Sequence, residues 1–316
     1  MGYFFCKMFN MVLLKGLKKT LLNLAFFFIN KKLIMKLLRI GKIGNEKPAI
    51  LDKDKNYKDL SSIIKDFNPN TLNFETLDKL KKLDVSKLPN LDPTSRIGAC
   101  VSKPSKFIGI GLNFKDHAIE QNMPIPKEPI IFSKFTNSVS GPNDDIVIPK
   151  NSNHTDWEVE LGFVIGKKCS YVSEKDALNY VLGFFLVNDV SERNFQKNKG
   201  GSWDKGKGFD TFGPIGPYIL TKDEISDVHN LNMYLDVDGE RMQTGNTNQM
   251  IFNINQLVSY MSHCMTLYPG DICCTGTPPG VGENRKPSKF LMGGETVKLG
   301  IDNLGEQTHK VVNNNA

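Results

Sequence analysis

From residue 103 onward the chain breaks into short apolar runs, FIGIGLNF, PIIFSKF, DDIVIPK, WEVELGFVIG, VLGFFLVNDV, GPYIL, NLNMYLDVDGERM, DICCTGTPPG and TVKLGIDNLG, separated by Gly, Pro and Asn. Runs of this length closed off by turn residues read as strands. Helices intrude at SEKDALNYV, where Ser173 can cap with Asp176 three residues on, and at NINQLVSYMSHCM. Strands and helices do not alternate as βαβ units, so residues 101–313 predict a β-rich domain with a closed or rolled sheet. LDVDGERM predicts a hairpin turning at Asp238 and Gly239.

Residues 35–100 predict a smaller α/β lobe. MKLLRIGKIGNEKPAILD reads as two strands about a Gly turn, and Leu60, Ile63, Ile64 and Phe67 recur at helical spacing in KNYKDLSSIIKDF. A second helix over 76–83 then leads into the extended linker SKLPNLDP. The expected fold class is α+β and β-rich, and a length of 316 residues at 40% hydrophobic suffices for a substantial core.

Residues 1–34 carry six lysines and no acid. Their apolar run LLNLAFFFI is short for a membrane span and contains Asn23, and no small-residue cleavage site follows. We read the segment as a basic extension ahead of a start at Met35, disordered or loosely helical and outside the fold. A signal or anchor, or lysine-rich organelle targeting, is the alternative. The 40 basic residues less these six leave 34, equal to the 34 acids, so the body is neutral. With two Trp and no basic cluster it has no electrostatic footprint for nucleic acid, and the expected partner is a small or acidic molecule. No membrane association is expected of the body. Six cysteines without a CxxC spacing suit reduced thiols in a cytoplasmic protein.

In TDWEVELG, Glu158 and Glu160 fall on one face of a strand while Val159 and Leu161 share the other. Either the acidic face meets water, or both carboxylates converge on a divalent cation that relieves their repulsion. A third carboxylate, Asp189, ends the strand LGFFLV about thirty residues on. Three carboxylates with no nearby histidine suit a hard ion, Mg²⁺ or Mn²⁺, and Lys205 and Lys207 of WDKGKGFD can balance the remaining charge.

In GIGLNFKDHAIEQ, Gly109 and Gly111 lack the third glycine and the βα setting of a dinucleotide site. Asp116 can cap a helix on which His117 and Glu120 share a face. The pair is either a surface ion pair or a carboxylate-oriented imidazole that deprotonates water. No GxSxG elbow is present, so a serine hydrolase has no support. TGTPPG at 275–280 is a strand end and turn whose hydroxyls can reach a ligand, and the remaining histidines are scattered.

IGIGLNFKDHAIE, PIIFSKFTNSVSGPNDDIVIP, TDWEVELGFVIGK, LVNDVSERNFQ, GSWDKGKGFDTFGPIGPYIL and MTLYPGDICCTGTPPGVG, in this order, resemble the fumarylacetoacetate hydrolase family. The resemblance implies a β-roll catalytic domain, a Mg²⁺ or Mn²⁺ site and a homodimer. It implies Glu158, Glu160 and Asp189 as metal ligands and His117 with Glu120 as the water-activating dyad on a lid helix. It further implies Lys207 beside the metal, with Arg193, Gln196, Thr277 and, more weakly, Lys134 toward the substrate. WDKGKGFDTFGPIGP, RMQTGNT and TGTPPGVG are most similar to the 2,4-diketo-3-deoxy-L-fuconate and L-rhamnonate hydrolases, whose relatives are often called ureidoglycolate lyases. The implied reaction is cleavage of a 2,4-diketo acid to pyruvate. Oxaloacetate decarboxylation, hydroxy-dienedioate isomerisation and ureidoglycolate cleavage are alternatives on the same site, and a non-catalytic metal-binding protein is the alternative of another class.

Overall fold

The computed structural model describes residues 35–314, so the basic extension and the expectations placed on it lie outside the described residues. The main sheet runs in the order Tyr57–Asp59, Lys47–Leu51, Lys36–Ile40, Ile219–Thr221, Val181–Asn188, Val159–Ile165, Ile272–Cys274, Phe107–Gly111 and Ile130–Lys134, with Ile97–Gly98 beside Lys36–Ile40. Its pairings are antiparallel except where Ile272–Cys274 runs parallel to Phe107–Gly111. A second sheet orders Glu240–Asn246, Asn232–Val237, Thr296–Ile301, Gly305–Asn313 and Ile146–Ile148. The main sheet keeps two open edges, so among the described residues there is no closed barrel. No described helix is long and apolar enough to cross a membrane.

Val159–Ile165 and Val181–Asn188 are buried along their whole length, which explains their nearly unbroken apolar reading. Val159, Leu161 and Phe163 join Leu235, Val237 and Leu299 of the second sheet in one core. Two buried glutamines stitch the sheets together. Gln243 accepts from the Val159 amide at 2.9 Å, and Gln307 donates to the Leu186 carbonyl at 2.9 Å. Each satisfies a backbone group that burial would otherwise leave costly.

The hairpin forms as expected, Val237 facing Glu240, with Asp238 at φ +51° and Gly239 at φ +79° in the left-handed pair that such a turn requires. Ile254–Cys264 is a helix opened by a full capping box between Asn253 and Gln256. The helix expected over 76–83 begins earlier, at Phe74–Leu80, because Asn73 caps it through the Thr76 amide. SEKDALNYV holds only a 3₁₀ turn at Ala177–Tyr180.

The helix expected from Leu60, Ile63, Ile64 and Phe67 does not form. Tyr57–Asp59 pairs instead with Lys47–Leu51, and only one turn follows, closed on the Leu60 carbonyl. Asp59 and Asp66 take the amides of Ser61 and Phe67 with their side chains, which diverts the backbone from a helical ladder. The strands of 35–100 continue the main sheet through Lys36–Ile40 beside Ile219–Thr221.

Candidate active site

Three elements meet at one end of the main sheet. Leu112, at φ +46° in the left-handed region that favours glycine, turns the chain out of Phe107–Gly111 toward the short helix Lys115–Glu120. Asn113 locks that turn, donating to the carbonyls of Phe252 and Thr275 and accepting from the Phe252 amide, all within 3.0 Å. The Gly109 and Gly111 pair is explained here: an added Cβ would lie 2.2 Å from the Phe132 ring at Gly109 and 2.2 Å from the Trp203 ring at Gly111. These glycines admit rings, and no phosphate role is needed.

On the helix, His117 is buried and its Nδ1 lies 2.9 Å from Glu120 Oε2. Glu120 also accepts from the Gly280 amide at 3.0 Å and from Asn284 Nδ2 at 3.1 Å. Burial pulls its carboxyl upward, but the bonds from His117 and Asn284 outweigh burial and hold it below the ordinary 4.5, so it stays an ionised acceptor. Asp116 does not cap: Phe114 holds that position, and Asp116 bonds the adjacent His117 amide.

Glu160 projects from Val159–Ile165 and accepts from the Gly276 amide at 2.7 Å. Glu158 lies just before the strand, and its amide is received by Asn188. Asp189 follows Val181–Asn188 and is completely buried. The Lys207 ammonium stands 2.6 Å from both Glu158 Oε2 and Asp189 Oδ2. Arg193 brings Nη2 to 2.8 Å from Glu158 Oε1, an ion contact not aligned as a hydrogen bond, while its Nη1 donates to Gln196 at 3.1 Å. Lys134 lies behind Asp189, bonded at 2.6 Å to Asp189 Oδ1 and at 2.6 Å to the Lys207 carbonyl. It therefore fixes Asp189 rather than lining the cavity. Thr277 does line it, with its hydroxyl donating to the Val159 carbonyl.

Burial opposes ionisation of Glu158, yet Lys207 and Arg193 hold its carboxyl well below the usual range. Glu160 has no such partner. Burial first, then the charges of Asp189 and Glu158, push its carboxyl well above 4.5. One buried carboxylate, Glu160, is thus left without a cation, and Glu160, Asp189 and Cys274 present ligand atoms within 4.8 Å of one another. Burial holds the Cys274 thiol protonated, so the oxygens are the ligands suited to a hard ion. These residues fit a Mg²⁺ or Mn²⁺ centre.

A pH test follows. Above pH 4.5 the folded protein keeps a proton on Glu160 that the unfolded chain releases, so this group's contribution to stability falls as pH rises, by up to about 1.4 kcal/mol per unit, until its folded pKa is passed. Glu160→Gln keeps an acceptor for Gly276 and carries no charge. In chelator, the melting temperature of wild type relative to this variant is expected to drop as pH rises above 4.5, and Mn²⁺ is expected to raise only the wild type. Parallel curves, or equal stabilisation by Mn²⁺, would refute the placement of Glu160.

His117, Glu158, Glu160, Arg193, Gln196, Lys207 and Thr277 line one cavity of about 160 Å³. Sequence reasoning missed Gln121, Trp203 and Phe132 on its walls and Cys274 beside its carboxylates. Gln121 stands four residues after His117, a helical spacing that could have revealed it. A wider cleft of about 940 Å³ is lined by Arg39, Glu46, Arg96 and Asp144, which are paired with one another or with Asp66.

A caged imidazole, buried carboxylates and two buried cations thus share one small cavity. The chain belongs to the fumarylacetoacetate hydrolase family: the family model described as "Fumarylacetoacetate (FAA) hydrolase C-terminal" matches residues 106–312. A Burkholderia ambifaria protein, named no further than a provisional hydrolase, is 56% identical over 88% of this chain and 99% of its own. Maleylpyruvate hydrolase from Sphingobium sp. SYK-6, solved with manganese(II) and pyruvate, superposes with a TM-score of 0.74 at 26% identity, covering 88% of this chain and 99% of that one. A 2-hydroxyhepta-2,4-diene-1,7-dioate isomerase from Mycobacterium marinum superposes with a TM-score of 0.68 at 30% identity, covering 89% and 100%. The family thus includes hydrolases and isomerases.

Proposed function

We propose that this chain is a divalent-cation-dependent hydrolase that cleaves the C3–C4 bond of a 2,4-diketo acid, an acylpyruvate or a 2,4-diketo-3-deoxy sugar acid, to pyruvate and a second acid. The observation that carries the reading is the shared cavity: His117, held by Glu120, faces the same small space as Glu160, Lys207 and Arg193. Mg²⁺ or Mn²⁺, held by Glu160 and Asp189 with Glu158, would supply positive charge against the 2-oxo acid and the enolate it becomes. That manganese and pyruvate occupy the Sphingobium enzyme supports this choice.

The chain's own groups account for the remaining steps. Glu120 keeps the proton on His117 Nδ1, which leaves Nε2 as the base. Nε2 takes a proton from water, the oxygen attacks C4, and the C3–C4 electron pair passes into the pyruvate enolate, which is then protonated at C3. Lys207 and Arg193 place fixed positive charge where the carboxylate and the enolate oxygen develop negative charge. Burial opposes the charge on Lys207, but the carboxylates of Asp189 and Glu158 outweigh it and hold the ammonium above its ordinary range, so it remains charged throughout.

Isomerisation is the second reading, favoured by the Mycobacterium marinum neighbour, since proton transfer through His117 and an enolate serve it equally. The test is to strip the full chain with a chelator, restore Mg²⁺ or Mn²⁺, and follow pyruvate from acetylpyruvate, 2,4-diketo-3-deoxy-L-fuconate and oxaloacetate. Cation-dependent pyruvate from either diketo acid is expected. Turnover of oxaloacetate alone would replace the reaction, and Glu158→Ala activity near wild type at saturating Mg²⁺ would remove the metal assignment.

A further inference from the structure

His117 Nε2 does not face open space. Gln121 Nε2 lies 2.6 Å from it, and the Gln121 side chain lines the same cavity. The direction of this bond follows from its neighbours. Glu120 is an ionised acceptor, so Nδ1 carries the imidazole proton and the neutral ring offers a lone pair at Nε2. An amide oxygen turned toward that lone pair would be repelled, so the amide N–H₂ must donate to it. An imidazole nitrogen has one in-plane lone pair, and here it is taken. Gln121 is held at its backbone, its amide bonded to the His117 carbonyl at 3.0 Å, so only side-chain rotation can uncover the base.

We propose that Gln121 is a positioning residue that meters water to the base: its carboxamide occupies the lone pair at which the attacking water must donate, and hydrolysis proceeds only when it swings aside. This rests on the reading of His117 as the base. The consequence concerns reaction choice. Hydrolysis of a diketo acid needs water at Nε2, whereas loss of CO₂ from oxaloacetate forms the pyruvate enolate with no water at the breaking bond. Gln121 therefore weights the site against hydrolysis by the cost of one displaced hydrogen bond.

Gln121→Ala tests this in two arms. Diethyl pyrocarbonate acylates an unprotonated, accessible imidazole Nε2, so acylation of His117, followed by mass spectrometry with His263 as internal reference, is expected to run several-fold faster in the variant. The ratio of acetylpyruvate hydrolysis to oxaloacetate decarboxylation is expected to rise about twofold to tenfold, the worth of a typical hydrogen bond. Equal acylation rates would overturn the cap whatever the turnover. Faster acylation with an unchanged or lower ratio would overturn the metering. A wild type inactive on both acids, with faster acylation in the variant, would sink the hydrolase reading and the metering while leaving the cap established.

Discussion

His117→Ala is expected to slow pyruvate release about 100- to 10,000-fold, the usual contribution of a positioned general base, while divalent-cation affinity stays close to wild type. The separation follows from the site's layout. Glu158 is tied to Lys207 and Arg193, Asp189 to Lys207 and Lys134, and Glu160 is the carboxylate proposed to hold the cation, so none is free to take over as base. His117 approaches the cavity from the helix Lys115–Glu120, whereas Glu160 and Asp189 are set by the main sheet, so deleting the ring leaves them in place. Steady-state turnover at saturating Mg²⁺, together with calorimetric titration of Mn²⁺, measures both quantities. Loss of turnover accompanied by an equal loss of cation affinity would show that His117 supports the carboxylates and is not the base.

Much of this site could be read before any coordinates because its chemistry is written at short spacing. Glu158 and Glu160 are two apart on an extended segment, and His117 and Glu120 are three apart on a helix, so local periodicity places each pair on one face. The hairpin at Asp238 and Gly239 is equally local. What escaped was assembled through space. Cys274 reaches the carboxylates because it stands opposite Gly162 in the sheet, which no spacing reveals. Trp203 reaches the cavity because Gly111 leaves its ring room. The failed helix at 60–67 teaches the converse: four apolar residues at the right spacing lost to Asp59 and Asp66, whose side chains took the amides a helix would need. TDWEVELG also differs from a half-buried surface strand, since Val159–Ile165 is buried on both sides and its acidic face looks into the cavity that His117, Arg193 and Lys207 line.

In that same segment Asp156 drew no notice, and the structure makes it a hub. It is fully buried and accepts from four donors: the amides of Trp157, Gly282 and Glu283 at 2.8, 2.7 and 3.0 Å, and Arg193 Nε at 2.9 Å. One carboxylate thus aims the Arg193 guanidinium and anchors the loop whose Gly280 and Asn284 hold Glu120, which in turn holds His117. Asp156→Asn keeps the shape but turns an amide N–H₂ toward donors and removes one of the carboxylates that Arg193 contacts, the one that holds its Nε. Breaking a buried ion pair in this way typically costs about 3 to 5 kcal/mol, so the melting temperature is expected to fall by about 6 °C or more. Because Arg193 and Glu120 both lose their support, KM for the 2-oxo acid is expected to rise and kcat to fall together. A variant that melts within about 2 °C of wild type, on the scale of a sub-kilocalorie change, with unaltered kcat and KM would show that Asp156 only fills space between the strand and the loop.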